Sequence, residues 1–599
     1  YILQRYVKIA RASKKGGYKT RFAYKEVRIC GNEMLAKIYN SAQSLLFPEI
    51  APGYKVISWR NLGFFSDFAP SYKVISWRNL HIFLIFAEDR LRLGIKVNFI
   101  ALALHYLRRR NIHIIIMETS IIGRQKEIER LKKYLASDKS EFIAVYGRRR
   151  VGKTFLIKEL LEGQFTFRMT GRENARMSEQ LMNFSYAMID SFGTETEPKD
   201  WTDAFRILAN AIEKQGAGIK VIFIDELPWL DTPRSKFISA LEYFWNSWAY
   251  YRSDIKLITC GSATSWMLDK IINARGGLHN RVTHQMLISP FTLHETELYF
   301  RSKGFDYERP EIIDCYMAVG GVAYYLSLFE NDKSVAENLQ ALCFTNGGDL
   351  ANEFEKIFKS LFKKAENHIA IIKALSNVGK GMTRMDLIAK TKLTNNGNLT
   401  KYLAELEMCE FIRSYVPFGK EKKEKMYQLI DEFSLFHLRF LQSKAPFLQG
   451  HWLKMIGTSE YRVWCGYAFE TVCLHHINQI IDGLGINGCI NRPCSWAYRP
   501  QKGDGNDEAG STMKRGAQID LLIDRSDKTI SVCEMKYSDS EYVIDKKYDQ
   551  YVQERLNIFK AVTKTSKSLQ LVYVTPHGLY NNMYARKINR QITADHLFL

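Results

Sequence analysis

Three groups of residues have types and spacings that could do chemistry. The first is Gly147-Arg148-Arg149-Arg150-Val151-Gly152-Lys153-Thr154, which follows the apolar run 141–146 and precedes helix formers over 155–161. A glycine-bent turn between a strand and a helix aims backbone N–H groups at phosphate oxygens, and the helix amino terminus adds a favourable dipole. In that setting Lys153 would neutralise the outer phosphates of ATP, and the Thr154 hydroxyl would ligate Mg²⁺.

The second group supplies carboxylates. The run 220–226 is buried in type and ends in Asp225 and Glu226. An acid at the carboxyl end of a strand beside such a turn suits a water-mediated Mg²⁺ contact. Asp225 takes that role, and Glu226 would polarise the attacking water. A further strand-like run, 255–260, leads into Gly261 and Ser262. Ser262 is a candidate sensor of the γ-phosphate, the alternative being an ordinary turn. Arg281 is a candidate arginine finger, the alternative being a solvated surface arginine.

The third group lies near the carboxyl end. Glu470 falls in the helix-like run 466–474, Asp520 in the strand-like run 516–524 two residues after Gln518, and Glu534 and Lys536 in the strand-like run 530–536. Period two places Glu534 and Lys536 on one strand face. Asp520 and Glu534 could hold one Mg²⁺, which activates water for attack on a phosphodiester. Lys536 would orient that water, and Glu470 would support the ligands. The alternative is an inert fold whose acids form salt bridges. His475 and His476 read as ordinary helix residues.

The elements between these groups are mostly helical. An amphipathic helix is expected over 122–135, with Ile128, Leu131 and Leu135 on one face. Residues 291–365 are rich in helix formers. Helices are then expected over 366–375, 383–390 (capped by Thr383) and 398–412. A hairpin over 413–418 and 426–430 follows, with a charged tip at 420–425. Three helices and such a hairpin suggest a winged helix-turn-helix, whose third helix would enter a DNA groove. That helix carries Glu405, Glu407 and Glu410 against Lys401, which suits phosphate approach poorly, so a packing or protein-contact role stands beside DNA binding.

The 147–154 turn, Asp225-Glu226-Leu227-Pro228-Trp229, Cys260-Gly261-Ser262-Ala263 and Gly320-Gly321-Val322-Ala323-Tyr324-Tyr325-Leu326 together resemble the archaeal-type ATPase family, P-loop proteins near the AAA+ and STAND classes. The resemblance spans about 118–599. It implies a winged helix after the ATPase core, and a carboxy-terminal domain similar to the PD-(D/E)XK restriction-endonuclease-like superfamily. Assembly into rings is implied by the same analogy. One departure is Ala323, where the family usually has proline.

Composition bounds the rest. The chain has 599 residues, 46% hydrophobic and 25% charged, with only 13 prolines, which excludes extensive disorder and leaves room for roughly three to five domains. Of the net charge of +21, residues 1–116 hold +14 (20 basic against 6 acidic), so the remaining 483 residues are only mildly basic. Within 1–116, the segment 51–62 recurs at 69–80 with eleven of twelve positions identical. A near-perfect pair looks like a recent duplication rather than a structural repeat. The region reads as an upstream extension before Met117, the alternative being a small basic domain for nucleic acid or a membrane surface. The ten cysteines include no C-x-x-C pair and fit reduced thiols in a cytoplasm. The best membrane candidate, 97–107, is broken by Asn98 and His105 and is too short to span.

The expectation is therefore an α/β protein. An extension (1–116) precedes a P-loop core (117–290), a helical lid (291–365), a winged helix (366–440) and a restriction-endonuclease-like α/β domain (441–599). Its cofactors would be ATP and Mg²⁺, its partners DNA and further copies of itself, and ATP hydrolysis would gate a Mg²⁺-dependent nuclease. The alternative is a nucleotide-dependent signalling or assembly switch with an inert nuclease-like fold.

Overall fold

The computed structural model describes residues 121–262, 264–272, 280–362, 364–442, 450–498 and 516–599, with the backbone of two short strands, β1 (Tyr72–Ile75) and β2 (Leu84–Ala87). β1 and β2 pair antiparallel, with Tyr72 opposite Ala87. Apart from β1, the duplicated segments lie outside the described residues. The chain forms two units, Tyr1–Met117 and Glu118–Leu599, and every other element belongs to the second.

Its amino-terminal half is a five-stranded parallel sheet. The strands are β3 (Glu141–Tyr146), β4 (Phe165–Thr170), β5 (Lys220–Asp225), β6 (Ile255–Gly261) and β7 (His284–Leu287), in the order β4-β5-β6-β3-β7. Period two sorts their side chains into two cores. Ile143, Val145, Val221, Phe223, Ile258 and Cys260 face helices α1 (Gln125–Leu135) and α2 (Lys153–Leu160). Phe142, Ala144, Ile222, Ile224 and Leu257 face α3 (Met177–Phe192), α4 (Trp201–Glu213) and α5 (Phe237–Ser247). Burial on both faces explains why the strands read as unbroken apolar runs. The core is thus an α/β P-loop sheet.

After β7 the chain turns helical: α6 (Leu293–Ser302), α7 (Arg309–Val319), α8 (Ala323–Leu326), α9 (Val335–Cys343), α10 (Glu353–Leu361) and α11 (Ala365–Ser376). Capping boxes start α6 at Thr292 and α9 at Ser334, each with a glutamate three residues on. Next come β8 (Met382–Thr383), α12 (Arg384–Thr391), α13 (Gly397–Met408), β9 (Ile412–Tyr415) and β10 (Met426–Leu429), with β10 antiparallel to both other strands. The third helix of this group ends earlier than the 398–412 expectation. Glu410 turns left-handed (φ 59°), the Phe411 N–H bonds back to the Leu406 carbonyl, and Ile412 already pairs in β9.

The carboxy-terminal part runs α14 (Glu432–Phe436), α15 (His451–Met455), α16 (Ser459–His475), α17 (Ile477–Gly483), β11 (Asn491–Tyr498), β12 (Ala517–Arg525), β13 (Thr529–Met535), α18 (Lys546–Thr563), β14 (Ser568–Val574), β15 (Arg590–Ile592) and α19 (Ala594–Leu597). The sheet order is β11-β12-β13-β14-β15, antiparallel up to β13 and parallel beyond it, with α18 as the crossover. One apolar core runs without a break from Phe291 through the helices and the β8–β10 module to this sheet.

A half-buried acid ties the helices to the sheet. Asp314 on α7 accepts a hydrogen bond from the Tyr537 hydroxyl at 2.7 Å. Burial pushes the Asp314 carboxyl up to about 7, and the Tyr537 bond offsets this only in part. The folded state therefore keeps a proton that the unfolded chain releases near its ordinary value. That stabilisation is complete below the unfolded value and is lost as pH rises through about 7. In thermal melts, the stability of the wild type relative to Asp314→Asn should fall between about pH 4 and 7 and then level off. A difference independent of pH would contradict this.

Candidate nucleotide site

The turn 147–152 links the end of β3 to the start of α2. Gly147 has φ 143°, and a methyl group there would lie 2.3 Å from the Ile288 carbonyl oxygen, so only glycine fits. Gly152, at φ 92°, occupies the left-handed region just before the helix. Lys153, 5% exposed, donates from Nζ to the carbonyls of Gly147 at 2.9 Å and Arg148 at 2.8 Å. Burial lowers its pKa, against the raising influence of Cys260, Glu226 and Asp225. The loop thus holds a desolvated ammonium beside two acids.

The acids arrive by topology. β6 lies between β3 and β5, so their three carboxyl ends lie side by side. The Thr154 hydroxyl donates to Asp225 Oδ1 at 3.0 Å, and the Ser262 hydroxyl donates to Glu226 Oε2 at 2.9 Å. Asp225 is buried, while Glu226 is half-buried with φ 47°, a left-handed backbone that turns it out of the strand. One hydroxyl and one carboxylate oxygen in contact suit Mg²⁺, which takes oxygen ligands and keeps several waters. The sequence-derived residues Lys153, Thr154, Asp225, Glu226 and Ser262 thus form one cluster.

The loop arginines behave differently. Arg148 is buried, ion-pairs with Asp431 and stacks 4.7 Å above the Phe411 ring. Arg150, with φ 75°, ion-pairs with Glu353 at 2.6 Å and lies 4.2 Å over Tyr324. Arg149 is exposed, 4.0 Å from Glu173. The cradle therefore takes its backbone from these residues and from Val151, while the Arg148 and Arg150 side chains reach the helices downstream. Ala323 lies across from Gly152, where a methyl on the glycine would meet it at 3.9 Å. Arg281 is half-buried, outside the cluster, and lies 4.8 Å over Tyr250.

Of the carboxy-terminal acids, Asp520 and Glu534 lie on adjacent strands and Glu470 on α16. Leu521 pairs with Cys533, which sets Asp520 beside Glu534 along the strands. Cys533 and Met535 face the core shared with α16, so period two turns Glu534 to the other face. There Arg555 and Tyr548 of α18 take both its oxygens, the tyrosine at 3.0 Å. Asp520 accepts from Gln518, within a bulge where Asp520 and Leu521 of β12 stand against Ser495 alone of β11. Burial raises Glu470 to about 8, aided by the Asp520 charge and offset by Lys536. Lys536 lies 5.4 Å over the Tyr548 ring. Among the described residues, no group of three His, Cys, Asp or Glu is placed to hold a metal. With Glu534 spent on a guanidinium and a phenol, the residues present do not fit a divalent ion.

Sequence reasoning missed several participants. Arg124 is buried, donates from Nη2 to the Val151 carbonyl at 3.2 Å and stacks 4.6 Å over Phe291. Asp431 lies 283 residues from its partner Arg148, Glu353 is likewise remote from Arg150, and no local pattern links either to the loop; Arg555 lies 21 residues from its partner Glu534. The two histidines make tertiary contacts: His475 lies 2.8 Å from the Ile430 carbonyl, and His476 accepts the Leu293 N–H at 3.0 Å.

Residues 121–329 match the model of a family described as an ATPase domain predominantly from Archaea. An uncharacterized protein of Methanocaldococcus jannaschii is 24% identical over 429 residues, covering 70% of this chain and 88% of that protein. An uncharacterized ATP-binding protein of the same archaeon is 46% identical over 43 residues, which is 7% of this chain and 73% of that protein. Among solved structures, the Walker-type ATPase of Pyrococcus abyssi is 19% identical with a TM-score of 0.40, covering 53% of this chain and 96% of that one. The Aeropyrum pernix ORC2 protein, in ADPNP–ADP complexes, is 14% identical with a TM-score of 0.34, covering 57% and 98%.

The close approach at Gly147 gives a direct test. Gly147→Ala should cost roughly 2 kcal/mol or more, read as a clear drop in melting temperature. Gly397→Ala, where a methyl meets nothing within 4 Å, should be neutral or slightly stabilising. Equal melting temperatures for the two variants would contradict the geometry.

Proposed function

We propose that the chain binds Mg²⁺-ATP in the 147–154 turn and hydrolyses it. The observation that carries this reading is the convergence of Lys153, the Thr154–Asp225 contact and the Ser262–Glu226 contact at one edge of the sheet. Backbone N–H groups of the turn and the start of α2 hold the phosphates. Lys153 offsets their charge, and Thr154 and Asp225 would hold Mg²⁺, which neutralises charge developing on the phosphates. Glu226 orients the attacking water and accepts its proton, with Ser262 fixing the carboxylate. Arg281 acting as a finger would serve the site of a second copy, so its contribution belongs to a homo-oligomer.

For the α11–β10 module, a winged helix used for protein contact is the better-supported reading. α13 packs against Thr264–Trp266 of the ATPase core. Its Glu405 bonds inward to His368 at 2.7 Å, and Glu410, just beyond its end, accepts from Ser289 at 2.8 Å. They are thereby kept from opposing a phosphate backbone, but the helix itself is occupied.

A nuclease-like reading of the carboxy-terminal sheet is favoured by one observation, the electrostatic proximity of Glu470, Asp520, Glu534 and Lys536. The Arg555–Glu534 pair favours the inert form of that fold. Plasmid incubated with Mg²⁺, with and without ATP, should therefore remain uncut by wild type and by Glu534→Ala alike. Cleavage lost specifically in Glu534→Ala would establish the nuclease reading instead.

For the ATPase itself, Lys153→Ala should abolish binding of a fluorescent ATP analogue. Glu226→Gln should keep binding and lower turnover about 100-fold or more. Unchanged phosphate release in Glu226→Gln would remove the general-base assignment.

A further inference from the structure

A phosphate that engages the Lys153 ammonium competes with the two carbonyls now holding it, those of Gly147 and Arg148. The peptide of residue 148 is therefore where occupancy of the loop is first felt. The side chain on that residue leaves the loop. Its guanidinium is 2% exposed, paired with an equally buried Asp431 and stacked on Phe411, and its Nε and Nη2 find no hydrogen-bond partner. Burial by itself lowers the Arg148 pKa, but the Asp431 charge, the hydrogen bond to it and the Tyr325 and Glu432 groups together outweigh burial, and the net shift is upward.

Asp431 in turn caps α14, accepting the Ser434 N–H at 2.8 Å, and its own N–H bonds to the Phe411 carbonyl at 3.2 Å. Its neighbour Glu432 is buried against Gly320, where a methyl would lie 2.9 Å from Oε2, and lies 3.3 Å from His475 at the end of α16. α14 packs on both α7 and α16, and α16 carries Glu470.

We propose that Arg148 and Asp431 are positioning residues that couple occupancy of the phosphate-binding turn to α14 and, through Glu432 and His475, to α16. The proposal rests on the reading that the turn binds ATP. The ion pair holds the 148 peptide in the arrangement that shares Lys153 with loop carbonyls, so it opposes nucleotide. Coupling of this kind is reciprocal: what nucleotide does to the latch, the latch does to nucleotide affinity.

The test uses the full chain. Asp431→Asn, confirmed folded by its melting curve, should bind Mg²⁺-ATP at least about fivefold more tightly than wild type. Unchanged or weaker affinity in the folded variant overturns the proposal. Because a buried arginine left without its carboxylate can prevent folding, a second measurement stands on the wild type alone. Hydrogen–deuterium exchange over 431–441 and 459–475 should rise on saturation with Mg²⁺-ATP, and the rise should be missing in Lys153→Ala. A wild-type chain that binds Mg²⁺-ATP with no change in those segments overturns the latch and leaves the ATP site standing. A wild-type chain that takes up no Mg²⁺-ATP defeats both.

Discussion

A protein that removes a charged ammonium from water must give it acceptors. Moving an ion of this size into the interior costs several kcal/mol even after relaxation. Lys153 meets that cost with two carbonyls of its own loop and with Asp225 and Glu226 nearby. The backbone of the turn, the left-handed glycine before α2 and the placement of the acids all serve that one cation. Arg148 is the second case within the same eight residues, and its acceptor comes from the far side of the sequence.

Sheet order converts this local demand into a site. With β6 inserted between β3 and β5, three carboxyl ends lie in a row: β3 leads to Lys153, β5 ends in Asp225 and Glu226, and β6 leads to Ser262. The loop arginines then extend the site outward, Arg150 to Glu353 on α10 and Arg148 to Asp431 before α14. The continuous apolar core beyond Phe291 means that a shift at either contact is felt by packed neighbours rather than absorbed by a linker.

The parts of this arrangement that sequence revealed are those written locally. β3 and β5 occupy 141–146 and 220–225 as their apolar runs indicated, because burial on both faces leaves no ambiguity of period. Lys153, Thr154, Asp225, Glu226 and Ser262 were legible because a turn or strand end fixes the direction of each. The helix expected over 398–412 was too long, since Phe411 and Ile412 continue its apolar pattern while Glu410 reverses the chain. The partners of the Arg148 and Arg150 side chains are set by tertiary packing, which a motif read along the chain does not contain. At the carboxyl end, strand spacing sets Asp520 near Glu534. The guanidinium of Arg555, 21 residues on along the chain, decides what Glu534 can hold, and it is not written in the spacing.

The central claim is that the turn at 147–154 is a working triphosphate site. Titration calorimetry of the full chain with Mg²⁺-ATP tests it most directly. The account predicts a saturable heat with one nucleotide per chain, and none for magnesium alone at the same concentration. A folded sample that gives no heat with saturating Mg²⁺-ATP would contradict it.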